Sequence, residues 1–179
     1  AIMSKLPSWY IRDSFGFVAR KIETSELHKL SELFTAFDND ALITQRRGEI
    51  ESGQTDIFVF EVDERIIAEI TVRYFDANGD TDIAVRGVRA YLQALRVLPD
   101  CQGRGLAQSL ISQVLSELEK MGYSEVTIGV EDDNHVALHI YAKLGFTEFV
   151  KRCRETFQVD TFEFNLYKKT LKAPSGQSV

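Results

Sequence analysis

The sequence predicts a mixed α/β domain with the element order β-α-α-β-β-β-α-β-α-β-β, and three observations carry that reading. First, the run Leu95-Arg96-Val97-Leu98-Pro99 passes through a glycine-bearing turn into a long stretch whose Leu106, Leu110, Ile111, Val114, Leu115, Leu118 and Met121 share one helical face. Second, the apolar segments Ile57 to Val62 and Ile66 to Tyr74 flank the short polar turn Asp63-Glu64-Arg65, the pattern of an antiparallel hairpin. Third, helical and extended patterns neither alternate strictly nor separate into halves, which points to one mixed sheet.

Taken in order, Phe15 to Ile22 reads as the first strand. A helix follows with Leu27, Leu30, Leu33, Phe34 and Phe37 at helical spacing and Thr24 or Ser25 as its cap. A short second helix spans Asp40 to Glu51, and Gly53 ends it. After the hairpin, Asp76-Ala77-Asn78-Gly79-Asp80 opens a polar connection to a strand from Ala90 to Val97. Gly122 stands where the long helix needs a C-cap. Val126 to Val130 reads as a short buried strand, and Asn134 as the cap of a helix that reaches Leu144 and stops at Gly145. Phe146 to Arg154 and Thr161 to Leu166 form the last two strands. Residues 1–172 are expected to be one domain, and 173–179 a polar disordered tail.

Composition bounds the function. The 179 residues carry 44% hydrophobic and 27% charged side chains, the balance of an ordinary globular protein. A net charge of −6 argues against nucleic-acid binding through a broad basic surface, and it suits a cationic amine. No apolar run approaches the roughly 20 residues of a membrane span, and Ala1-Ile2-Met3-Ser4-Lys5 has no signal-peptide core, so no membrane association and a cytoplasmic location are expected, with Met3 as the natural start. Two cysteines, Cys101 and Cys153, neither frame a disulfide scaffold nor space as metal ligands. Cys101, beside the glycine turn, is a reactive thiol only if the helix N-terminus lowers its pKa.

The turn Gln102-Gly103-Arg104-Gly105-Leu106-Ala107 is the leading candidate site. A helix N-terminus leaves backbone N–H groups without intrahelical partners, aligned and reinforced by the helix dipole, and glycines let such groups nest around an anion. A P-loop would need Lys-Ser/Thr where Leu106-Ala107 stand. A dinucleotide fold would place this turn after the first strand. The residues alone leave a phosphate site and a plain tight turn both open.

This turn and the segment Asn134-x-x-Ala137-x-x-x-Tyr141-x-x-x-Gly145-Phe146 together resemble the GCN5-related N-acetyltransferase (GNAT) superfamily. Gln102, Gly105 and Ala107 match that family's signature turn, and the likeness runs from about Phe15 to Lys168. The resemblance implies acetyl-CoA as cosubstrate, with its pyrophosphate on the N–H groups from Gly103 through Arg104, Gly105, Leu106 and Ala107 to Gln108. It implies that the pantetheine lies along Leu95-Arg96-Val97 like an added strand, held also by Asn134. Tyr141 then becomes the general acid that protonates the departing thiolate. Direct transfer to a primary amine of a small molecule or peptide follows, by a monomer or homodimer that needs no metal.

The general base is less legible. In the branch that acetylates ribosomal protein N-termini a glutamate stands five residues before the asparagine, and that position here is Gly129, which weakens a protein N-terminal acetyltransferase reading. Glu69 is taken as the base, with Glu131, Asp132, Tyr91 or a water chain as alternatives. A non-catalytic acyl-CoA sensor and transfer of longer acyl chains are the rival functions.

Two other patterns are set aside. Asp76-x-Asn78-x-Asp80-x-Asp82 lacks the glycine and glutamate of an EF-hand and reads as a polar loop, or as an acidic rim for an amine. His135 and His139 lack the glutamate of a zinc-protease helix and read as exposed surface.

Overall fold

A computed structural model describes residues 16–34, 39–157 and 159–171. The chain folds into two compact units interleaved along the sequence. The first takes the described residues up to Thr71 together with Ala94–Val114, and the second takes Val72–Gln93 and the described residues from Leu115 on.

In the first unit the strand order is β1-β2-β3-β4. Strand β1 is Arg20–Lys21, much shorter than Phe15 to Ile22, and pairs antiparallel with β2 (Thr55–Val62) in the register Arg20↔Val59. Phe15 itself lies outside the described residues. The first helix is a 3-10 helix over Thr24–Leu33 rather than an α-helix. Three residues per turn line up side chains at i and i+3, which is the spacing of Leu27, Leu30 and Leu33, and Leu27 and Leu30 are fully buried. Its N-cap position is Glu23 rather than Thr24 or Ser25, and the Glu26 carboxylate accepts the Glu23 N–H at 3.0 Å. Phe37 lies outside the described residues. Helix α1 (Asn39–Glu51) begins one residue before the predicted start.

Strand β3 (Arg65–Arg73) follows β2 through Asp63 and Glu64, both with positive φ, at 49° and 66°. Two left-handed residues make a type I′ turn, whose twist matches the strands it joins. Strand β3 is buried over Ile66 to Val72, on both faces, which is why it reads as a nearly continuous apolar run. Each of its fully buried isoleucines stabilises the fold by about 1.5–3 kcal/mol. Strand β4 (Arg89–Val97) enters this unit at Ala94, and helix α2 (Leu106–Lys120) contributes its first half. Gln113 on α2 accepts the Ala19 N–H and donates to the Phe17 carbonyl, which fixes the segment before β1.

In the second unit the order is β4-β5-β7-β6. Strand β5 (Glu125–Val130) runs parallel to β4 from Arg89↔Glu125 to Leu92↔Ile128. Strands β6 (Glu148–Phe157) and β7 (Asp160–Thr170) form an antiparallel hairpin longer than predicted, and β7 pairs with the whole of β5. Helix α3 is His135–Lys143. The apolar face of α2 is buried as predicted from Leu106 to Leu118, but Met121 lies past the helix end and is 44% exposed. No helix among the described residues is long and apolar enough to cross a membrane.

Candidate active site

The turn between β4 and α2 has the conformation its glycines foretell. Gly103 and Gly105 take φ of 77° and 76°, left-handed values that a side chain resists. A Cβ on Gly103 would meet only open space, so the backbone conformation, not crowding, is what requires glycine there. The first bond of the α2 ladder is Ser109 N–H to the Gly105 carbonyl at 3.0 Å, and the N–H groups of Leu106, Ala107 and Gln108 lie ahead of it. Gln102 to Gly105 and Gln108 are exposed while Leu106 is buried, so the helix start is anchored and its backbone is open to a ligand. Gln102 Nε2 donates to the Val97 carbonyl at 3.1 Å, tying the turn to the end of β4. These features fit a pyrophosphate.

Leu95, Arg96 and Val97 follow a backbone irregularity at Ala94; the family resemblance implies that this strand splays from the one at Val126 to Val130, but no residue marks where. Ala94 takes φ of 56° inside β4, a left-handed residue within an extended strand. The β4–β5 register ends just before it, at Leu92↔Ile128. On the other edge the Leu98 N–H bonds to the Ile67 carbonyl at 2.9 Å, which holds the end of β4 to β3. Alanine carries no sequence mark of a positive φ, so this kink could not be read from composition.

Glu69 lies in the middle of β3 and is fully buried. Its Oε1 accepts Arg96 Nη1 at 3.0 Å and stands 3.4 Å from Arg46 Nη1. Its Oε2 is buried with no hydrogen-bond partner among the described residues. The same Arg46 nitrogen donates to Thr71 Oγ1 at 3.0 Å. Both guanidiniums lie on the Phe34 ring, Arg46 at 4.9 Å and Arg96 at 5.1 Å from its centroid. Burial pushes the Glu69 carboxyl above the usual carboxylate range, and the two arginines offset that only in part. Neither Arg46 nor Phe34 is among the site residues expected from the sequence, where Arg46 falls in the short second helix and Phe34 on the apolar face of the first. The available sign was Glu69 itself, since a carboxylate in a strand buried on both faces needs a cation from a neighbouring element.

In the second unit Asn134 caps α3, its Oδ1 accepting the Ala137 N–H at 3.1 Å. The loop before it is fixed by Asp132, which accepts from Arg152 on β6 and from Asn165 Nδ2 on β7, the latter at 2.7 Å. Asp132 and Glu131 are both exposed. Tyr141 is 8% exposed, edge-on to Phe146 with centroids 6.3 Å apart, and burial pushes its phenol up to about 12. A Cβ built on Gly129 would lie 2.5 Å from the Phe164 ring and 3.0 Å from the Tyr91 hydroxyl. The position of the branch-specific glutamate is therefore filled by two aromatic side chains. Tyr91 is itself buried, and desolvation pushes its phenol upward.

The remaining candidates resolve simply. Lys151 pairs with Asp80 at 2.6 Å and Asp82 at 3.2 Å, so these loop carboxylates meet a cation of the protein itself. Asp76 Oδ2 accepts the N–H groups of Asn78 and Asp80, as an Asx turn does. Cys101 is buried, and burial raises its thiol rather than lowering it. His135 and His139 are exposed. No group of three or more His, Cys, Asp or Glu among the described residues is placed to hold a metal.

Known acetyltransferases are similar to this chain. N-alpha-acetyltransferase 30 of Schizosaccharomyces pombe is 28% identical over 81 residues, 45% of this chain and 54% of that protein. Mycothiol acetyltransferase of Rhodococcus jostii is 34% identical over 110 residues, 60% of this chain and 34% of that protein. The chain thus spans about a third to a half of the length of these curated relatives. The ribosomal-protein-S18-alanine N-acetyltransferase of Escherichia coli shares the fold, with a TM-score of 0.67 at 21% identity over 91% of this chain and 98% of that one. The description "Acetyltransferase (GNAT) family" belongs to the family model that matches residues 21–146, and the chain belongs to that family.

Proposed function

We propose that the chain is an acetyl-CoA-dependent N-acetyltransferase that acts in the cytoplasm on a primary amine of a small molecule or peptide. The observation that carries this reading is the turn at Gln102 to Gln108, with left-handed Gly103 and Gly105 and an exposed helix start. Leu106, Ala107 and Gln108 offer unpaired N–H groups to the pyrophosphate, with Gly103, Arg104 and Gly105 completing the turn. The edge of Leu95-Arg96-Val97, freed beyond the Ala94 kink, offers strand-like hydrogen bonds to the pantetheine. The Val97 carbonyl is already used by Gln102, which leaves the bonding there to the N–H groups and the Leu95 carbonyl. Asn134 offers its amide Nδ2, since Oδ1 caps the helix.

Acetyl-CoA supplies an activated acetyl thioester. The protein's part is to bind it, to take a proton from the acceptor ammonium and to supply one to the departing sulfur. Tyr141 is the proposed acid, protonated throughout the neutral range because burial holds its phenol near 12. Glu69 is the proposed base, its carboxyl raised above the ordinary carboxylate range by burial, which makes it a stronger proton acceptor than an exposed glutamate.

A second reading, an acyl-CoA-binding sensor without turnover, is favoured by one observation: Glu69 is fully buried and paired with arginine, while Gly129 offers no carboxylate. Acetyl-CoA consumption across polyamines, aminoglycosides, amino acids and peptide N-termini separates the two. Turnover of any of these classes supports the enzyme, and binding of acetyl-CoA without turnover of any supports the sensor.

A further inference from the structure

The cluster of Phe34, Arg46, Glu69 and Arg96 lies wholly within the first unit and has the build of a recognition element rather than of a stabilising contact. Taking a carboxylate and a guanidinium out of water costs several kcal/mol per ion, and an apolar pair of similar volume often packs as stably. This cluster accepts that cost and still leaves Glu69 Oε2 buried without a hydrogen-bond partner among the described residues. Its two cations differ in access. The Arg46 side chain is 8% exposed, whereas that of Arg96 is 25% exposed and stands on the Leu95-Arg96-Val97 segment proposed to hold the pantetheine. Phe34 supports both guanidiniums, which lowers the rotamer freedom that either loses on binding an anion.

We infer that Arg96 recognises a carboxylate on the acceptor, so that the acceptor class is an amine bearing a carboxylate, such as an α-amino acid, rather than a polyamine. Arg96 Nη1 already donates to a carboxylate oxygen, Glu69 Oε1, at 3.0 Å in the free protein. An incoming carboxylate exchanges with Glu69 as the partner of Arg96. Glu69 Oε1 keeps Arg46 Nη1, 3.4 Å away, when Arg96 turns to the acceptor.

This inference rests on the proposed acetyltransferase activity, and its test separates the two. Acetyl-CoA binding to the wild-type protein is measured first by calorimetry; no binding overturns the activity itself. Transfer is then compared for a set of α-amino acids and their carboxamides, which differ only in the recognised group. The expected preference in kcat/KM is about tenfold or more for the carboxylates, in line with the loss of a charge-assisted contact. In Arg96→Gln that ratio should fall to about one, while the ratio between two carboxylate acceptors is retained. The ratio compares acceptors on the same variant, so a general loss of activity does not alter it. Equal wild-type rates on carboxylates and carboxamides, a ratio that survives in Arg96→Gln, or acetyl-CoA binding with no turnover of any amino acid would each overturn the inference. The wild-type comparison stands even if Arg96→Gln does not fold.

Discussion

Phe164 fills the space that a side chain on Gly129 would need: a Cβ there would lie 2.5 Å and 2.8 Å from two carbons of its ring. The ring stacks on Tyr91, with centroids 6.5 Å apart, within a buried group that includes Ala84, Cys153 and Leu166. Gly129→Ala is therefore expected to destabilise the protein by about 1–3 kcal/mol, the usual cost of overpacking a core. A denaturant midpoint equal to that of the wild type would show that Phe164 yields freely. Gly129→Glu should misfold rather than gain a base.

Tyr141→Phe removes a hydroxyl and keeps the edge-on ring against Phe146, so the fold should be retained. Transfer should slow by about 100- to 1,000-fold, within the usual range for a general acid, with acetyl-CoA affinity largely preserved. A rate within a few-fold of wild type would remove the acid role. The raised phenol gives this a pH counterpart. The proton that Tyr141 donates is fully present well below pH 12 and is lost as pH rises through that value, so any fall in kcat between pH 8 and 10 must survive in Tyr141→Phe.

Ala94 holds a left-handed conformation that costs about 1–3 kcal/mol even for alanine. A β-branched residue tolerates it still less. Ala94→Val should lower the melting temperature and also weaken acetyl-CoA binding, because a straightened β4 presents Leu95-Arg96-Val97 differently. Loss of stability with unchanged acetyl-CoA affinity would show that the kink has no part in the site.

At Glu64 the hairpin turn places a non-glycine residue at φ 66°, where type I′ turns favour glycine. Glu64→Gly is expected to stabilise the fold by about 0.5 kcal/mol, the strain relieved outweighing the entropy lost. Chemical denaturation checks the sign, and a lower midpoint would contradict it.

What the sequence made legible depended on how local the cause was. Helix α2, the β2–β3 hairpin and the α3 cap follow from neighbouring residues, and each appears within a residue or two of its expected place. The first helix was misread because i, i+3 spacing is shared by α and 3-10 helices, and Leu27, Leu30 and Leu33 use the second geometry. The glycine turn was legible because φ near 76° selects glycine, whereas Ala94 achieves a similar backbone without announcing it. Glu69 was legible as an anomaly in an apolar strand. Its partners were not, since Arg46 and Arg96 come from a helix and a strand 23 and 27 residues away in the chain.

The turn at Gln102 to Gln108 is proposed to bind the pyrophosphate of acetyl-CoA. Calorimetric titration of the wild type and of Gly105→Leu with acetyl-CoA, beside thermal melts of both, tests it most directly. The wild type should bind one equivalent saturably, and the folded variant should lose at least about 100-fold in affinity, since a branched side chain at a left-handed helix start displaces several N–H donors at once. Undiminished binding by the folded variant, or no binding by the wild type, would contradict the account.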